Sequence, residues 1–166
     1  MRRSVLTLFA CVLFCSATFA ADTPSVDFKA DGAGPRAVES MTQRSVPRDY
    51  ANAWRELTFA LEQSAPQLLD SHFTGAAKAN FAAAIEGQKR SGLRSRYLDQ
   101  KHKLDVTFYA PEGDVMELRD TVECQFQVLD GNTVVHDEHV VLRYIVLMTP
   151  AADKWQVRLL QAVPEF

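Results

Sequence analysis

Two periodicities run along this chain, one after the other. Tyr50, Trp54, Leu57 and Leu61 fall at helical spacing and form one apolar face. Ser45 can cap that helix and Pro47 suits its first turn, so the pattern predicts a helix over about 47–63. Pro66 stops it, and 67–72 reads as a short helical turn. Ala77, Phe81, Ala84 and Ile85 form a second stripe, over about 76–91. Thr74 caps this helix, Lys89 and Arg90 suit the negative end of its dipole, and Gly92 ends it.

Past Gly92 the period falls to two. Leu104, Val106 and Phe108 alternate with polar residues, and Pro111-Glu112-Gly113-Asp114 turns the chain. Met116, Leu118, Val122, Cys124, Phe126 and Val128 then share one phase. Asp130-Gly131 is a hairpin signal, after which Val140, Leu142, Tyr144, Val146 and Met148 form the next inner face. A turn at 150–153 leads to Trp155, Val157 and Leu159. The fold class predicted is α+β: two to three N-terminal helices packed on a curved four-stranded antiparallel meander. The middle strands are much longer than the usual ~5–6 residues. Strands of that length bend, often at bulges, and a bent sheet wrapped on helices makes a cone around a cavity. The third strand is also apolar on its outer face, at Val141, Ile145 and Leu147, which another copy, a partner or the linker could cover.

The first residues belong to neither pattern. Arg2 and Arg3 precede an apolar run from Ser4 to Phe14, and Thr18-Phe19-Ala20 sets small residues at −3 and −1 of a cut after Ala20. This is the layout of a signal peptide over 1–20, and it implies export to the periplasm or cell envelope. The alternative is an uncleaved anchor. Residues 21–45 carry Pro24, Gly32, Gly34 and Pro35 among small and polar residues, with no periodicity, and read as a flexible linker. Residues 46–166 then form a single α+β domain.

Charge and cysteine content change with cleavage. Losing Arg2 and Arg3 takes the basic total from 18 to 16 against 21 acidic residues, a net charge of −5. That excludes a general nucleic-acid footprint. Cys11 and Cys15 leave too, so Cys124 stays alone and stability must come from the core.

Helices first and a long meander last resemble the nuclear transport factor two-like superfamily, the cystatin-like rolls. The stripe Tyr50-Trp54-Leu57-Leu61, the long hairpin around Asp130-Gly131 and the closing strand Lys154-Trp155-Gln156-Val157-Arg158 carry the resemblance. The element order looks most like the branch of translocase domains and secretion-system bridge proteins. Enzymatic branches, such as ketosteroid isomerases and polyketide cyclases, usually interleave a helix with the first strands. The resemblance therefore implies a binding module before an enzyme, and it carries over no catalytic residue.

Asp120 is the residue out of keeping with its phase, because it falls between Leu118 and Val122 on an apolar face. A buried carboxylate needs a partner or a proton. A pocket acid–base role would group it with Tyr144, Tyr50 and His102. The plainer reading, and the favoured one, is a bulge that turns Asp120 outward to Arg119 or Arg143. The run His136-Asp137-Glu138-His139 has metal-ligand composition, but on a strand its members alternate in side, so it reads as a solvated hairpin end. Cys124 reads as a small core residue. Lys89, Arg90, Arg94, Arg96, Lys101 and Lys103 form a basic segment that could meet an anionic partner, although edge lysines also simply protect a sheet. No metal or cofactor is implied.

These features favour an exported, non-catalytic envelope module that binds a protein partner or a small apolar ligand. Two alternatives follow. One is a small cyclase- or isomerase-type enzyme with Asp120 as acid–base group. The other is a structural homodimer through the sheet.

Overall fold

A computed structural model describes residues 23–166 of the chain. The expected signal peptide over 1–20 lies outside the described residues. In chain order the elements are β1 (Ser25–Lys29), α1 (Ser40–Gln63), a 3-10 turn (Pro66–Asp70), α2 (Gly75–Ser91), β2 (Leu93–Tyr109), β3 (Met116–Asp130), β4 (Thr133–Pro150) and β5 (Trp155–Val163). The strands form one sheet in the order β1-β2-β3-β4-β5. The β2–β5 meander is antiparallel and β1 joins β2 in parallel. The class is α+β, with five strands in place of the four expected.

The extra strand comes from the segment read as a flexible linker. Val26 and Phe28 alternate with Ser25, Asp27 and Lys29, and they pack against the core while the sheet edge of β2 takes up the backbone. Five residues are too short a run for periodicity to stand out from the Pro and Gly around it. Helix α1 also starts earlier than the pattern predicts, at Ser40, so Pro47 lies inside it. Buried Val38 and Val46 anchor these early turns, and the Gln43 side chain donates to the Val38 carbonyl at 2.9 Å. The helix ends at Ser64, in the left-handed region at φ 51°, and Pro66 follows. Helix α2 and its Gly92 terminus fall where the spacing puts them.

The core lies between the helices and the concave face of the sheet. Tyr50, Trp54, Leu57 and Leu61 of α1 are all buried there, with Leu104, Leu118, Val122, Val146 and Met148 from the strands. Each fully buried Leu or Met contributes about 1.5–3 kcal/mol relative to its exposed state.

Three bulges set which residues face inward. In β2 the register with β3 shifts between Leu98 and Lys101, and again between Val106 and Phe108. In β5 it shifts opposite Leu147 and Met148. Each added residue reverses the alternation. Ser95 faces inward before the first bulge, while Gln100, His102, Leu104 and Val106 do so after it. The second bulge turns Phe108 out and Tyr109 in, and the third buries Leu160 in place of Leu159, against the simple alternation expected of both strands. By contrast, β3 keeps an unbroken register with β4 from Met116 to Val128. Asp120 therefore stays in phase with its apolar neighbours, and the surface pairing with Arg119 or Arg143 does not occur.

Candidate functional site

The four candidate residues come from four elements. Tyr50 stands on the inner face of α1, His102 on β2 just past the first bulge, and Asp120 and Tyr144 are directly paired on β3 and β4. Asp120 is fully buried and His102 is 2% exposed. The Tyr50 hydroxyl donates to Asp120 Oδ2 at 2.7 Å, and His102 Nδ1 lies 2.9 Å from the same oxygen. Tyr144 makes no hydrogen bond to this group; its ring packs edge-on to Trp54 at 5.7 Å between centroids. Three of the four thus form one polar cluster, and the fourth is part of its aromatic wall.

The cluster continues toward the surface. His102 Nε2 faces Gln100 Oε1 at 3.5 Å, and Gln100 Nε2 donates to Thr58 Oγ1 at 2.9 Å and to the Tyr97 carbonyl at 3.1 Å. The chain Tyr50–Asp120–His102–Gln100–Thr58 therefore ties α1 to β2 and β3 through side chains alone. The first β2 bulge makes this possible. Asp99 takes the left-handed conformation at φ 52°, which brings Gln100 into the same inward phase as His102.

Burial holds the phenols in their donor form. It raises Tyr50 well above the ordinary 10.0, with the charge of Asp120 acting in the same direction. Tyr97 is pushed up to about 12 by burial, and Tyr144 is also raised by burial. Burial takes the Cys124 thiol to about 11, where it is a core side chain and no nucleophile. Asp120 Oδ1 and the Trp54 indole N–H have no hydrogen-bond partner among the described residues. Both bonds to Asp120 thus fall on one oxygen, an arrangement that costs stability and fixes the relative position of helix and sheet.

The concave space expected to hold a cavity is occupied by side chains. The Trp54 ring lies 4.8 Å from His102 and 5.6 Å from Tyr97, and Tyr50 lies 5.5 Å from His102, all centroid to centroid.

The large concavity lies instead outside this wall, between the C-terminal half of α1, the start of β2 and the β3–β4 turn. It is an open groove of about 910 Å³. Gln100 and Thr58, the outer end of the polar chain, belong to its lining, whereas Tyr50, His102, Asp120 and Tyr144 do not. Arg55, Arg94 and Arg96 line it too, opposite Glu62 and Asp99. Arg94 donates to the Glu62 carbonyl at 3.2 Å and to the Gly131 carbonyl, and Arg96 donates to Gln127 at 2.8 Å. Arg55 makes no ion pair among the described residues.

Of the basic segment, only Arg94 and Arg96 reach this groove; Lys89, Arg90, Lys101 and Lys103 are exposed elsewhere. Arg55, Gln100 and Thr58 carry no sequence signal, and Gln100 reaches the groove only through the bulge. The outer face of β4 is less bare than the pattern suggests, since Ile145 and Leu147 are half-buried and only Val141 is well exposed, at 47%. His136 Nε2 lies 3.3 Å from Glu138, while Asp137 accepts from Gln127 at 3.0 Å and also from Gln125.

Comparison with known proteins agrees with this architecture. No family model matches the chain, and no curated protein matches it. Among solved structures, the intermembrane space region of the chloroplast protein ARC6 superposes with a TM-score of 0.64 at 13% identity, covering 78% of this chain and 98% of that one. A protein assigned as a polyketide cyclase, from Pseudomonas putida KT2440, overlaps at a TM-score of 0.31 and 17% identity, over 69% of this chain and 87% of that one. The likeness to the ARC6 region is one of fold, consistent with a cystatin-like α+β roll, and it assigns no family.

Proposed function

We propose that this chain is an exported, non-catalytic module of the cell envelope that binds a protein partner in the groove beside α1. One observation carries the reading: the polar cluster that would serve as an acid–base centre is sealed, with Asp120 fully buried, while the open groove begins where that cluster ends. A catalytic acid must reach its substrate within hydrogen-bond distance. Here the rings of Trp54, Tyr97 and Tyr144 stand around Asp120 and His102. The cluster's role is to hold α1 on the sheet and so keep the groove in shape.

The groove's polarity defines the partner. Arg55, Arg94 and Arg96 suit carboxylates, and Phe59, Tyr97 and Leu129 give apolar contact between them. An acidic segment of another envelope protein fits that lining better than a small apolar ligand does. The N-terminal signal layout supports the location, as does the occurrence of this fold in the intermembrane space region of ARC6.

Native mass spectrometry of the protein purified from its own host tests this reading. The expected result is a retained protein partner that is lost in Arg55→Glu and kept in Tyr50→Phe. A small retained molecule that Asp120→Asn releases and Arg55→Glu does not would return the cluster to an enzymatic role.

A further inference from the structure

The outer edge of β4 is half used. Strand β5 pairs with β4 only from Arg143 to Pro150, and the ladder stops at Val163 because Pro164 has no N–H to donate. Beyond Arg143, β4 runs on toward Thr133 with β3 on one side and, among the described residues, no strand on the other. That leaves a long row of backbone donors and acceptors, which other strands can join. Val134 is 40% exposed, Val135 is 56% exposed and Val141 is 47% exposed on this segment.

Residues 134–141 read Val-Val-His-Asp-Glu-His-Val-Val, so an acid and a histidine stand two apart on each side of the strand, Asp137 with His139 and Glu138 with His136. We propose that this edge pairs antiparallel with the same edge of a second copy, about a twofold axis at Glu138, to join the two sheets into one. In this register Asp137 faces the partner's His139 and His139 faces the partner's Asp137. Opposite charges directly across an antiparallel pair are a favourable contact. Glu138 meets the partner's Glu138 on the axis, each with its own His136 at 3.3 Å.

The neighbouring registers are worse. A shift that puts Asp137 on the axis crosses His136 with the partner's Glu138, two residues that already meet within one chain, and opposes two Asp residues. A shift that puts His139 on the axis opposes two His residues and sets Val141 against the partner's Asp137. The charges at the middle of the edge also repel an arbitrary apolar strand, so they select a second copy of this chain over other occupants. The register of β4 with β3 shifts between Val128 and Leu129, which leaves Val135 matched to no residue of β3. This inference does not depend on the groove.

Sedimentation velocity over a concentration series, on the protein purified from its host, tests the pairing. A dimer is expected. Asp137→His alone and His139→Asp alone each place like side chains opposite one another, and each should weaken the homodimer on the order of tenfold. Mixing the two variants restores both crossed pairs and should give a heterodimer of wild-type strength. Glu138→Cys should form an intermolecular disulfide on oxidation, because directly opposed residues lie about 4.5–5.5 Å apart at Cα, within disulfide reach. Val134→Cys, which lies beyond the bulge and away from the axis, should not. A monomer at every concentration, a dimer indifferent to both charge variants, or crosslinking through Val134→Cys in preference to Glu138→Cys would overturn the proposal.

Discussion

At the residue scale the molecule turns on Asp120. It is a carboxylate on an apolar face, and β3 runs past it without a bulge, so it has to be satisfied inside. Tyr50 and His102 do this from two other elements, both on Oδ2. Hydrogen bonds to a charged or charge-sharing group are worth more than neutral ones. Tyr50→Phe should therefore lower unfolding free energy by about 1.5–3 kcal/mol, measured by urea denaturation. Asp120→Ala strands both donors in the core and should cost more, about 3–5 kcal/mol. Equal stability of wild type and Tyr50→Phe would show that the cluster does not fasten α1 to the sheet. Asp120 was legible in the sequence as an anomaly, because its phase is visible in the alternation of β3. The identity of its partners was only half legible: Tyr50 and His102 share its inward phase, but nothing along the chain distinguishes a tyrosine that donates from one, like Tyr144, that only packs.

At the element scale, bulges decide the site. Asp99 lies at positive φ in the first bulge of β2, a conformation that costs a β-branched residue about 1–2 kcal/mol. Asp99→Val should lose that much stability, and Asp99→Gly should lose none, by the same denaturation measurement. Loss of the bulge would also rotate Gln100 away from His102 and from the groove. The bulge has no signature in the sequence, since it arises from fitting a long strand around α1. That is why plain alternation puts Phe108 and Leu159 inward and leaves Gln100 unmarked. Strand β1 leaves no clear pattern for a different reason. It is short, it pairs in parallel far along the chain from its partner, and its two apolar residues sit in a Pro- and Gly-rich stretch. Phe28→Ala should cost about 1–2 kcal/mol for a half-buried ring. It should also speed hydrogen exchange along the β1-facing edge of β2 near His102 and Leu104. Unchanged protection there would mean that β1 adds little to the sheet. The helices, by contrast, were read almost whole, because their apolar stripes are long and their ends are marked by Pro66 and Gly92.

At the scale of the whole molecule, the sealed core has a consequence in alkali. Burial takes Cys124 from 9.0 to about 11 and Tyr97 from 10.0 to about 12. Above about pH 9 the unfolded chain releases the Cys124 proton while the folded chain keeps it, so the unfolded state binds fewer protons and stability falls as pH rises toward 11. Below 9 this contribution is complete. In Cys124→Ala the fall should begin about one unit later, where the tyrosines take over, and urea midpoints across this range would show it. A curve that does not move would mean that the thiol is solvated in the folded protein.

The same core separates interior from working surface. Aromatic rings and one hydrogen-bonded chain hold helix and sheet together, and the proposed function assigns binding to the groove that this arrangement shapes. Photo-crosslinking in the native host tests that division most directly, with benzoylphenylalanine placed at Phe59 in the groove or at Phe108 on the far face of the sheet. A defined protein adduct from Phe59, abolished by Arg55→Glu and absent from Phe108, is the result expected. An adduct from Phe108 with none from Phe59 would contradict the account and move the binding surface to the outer face of the sheet.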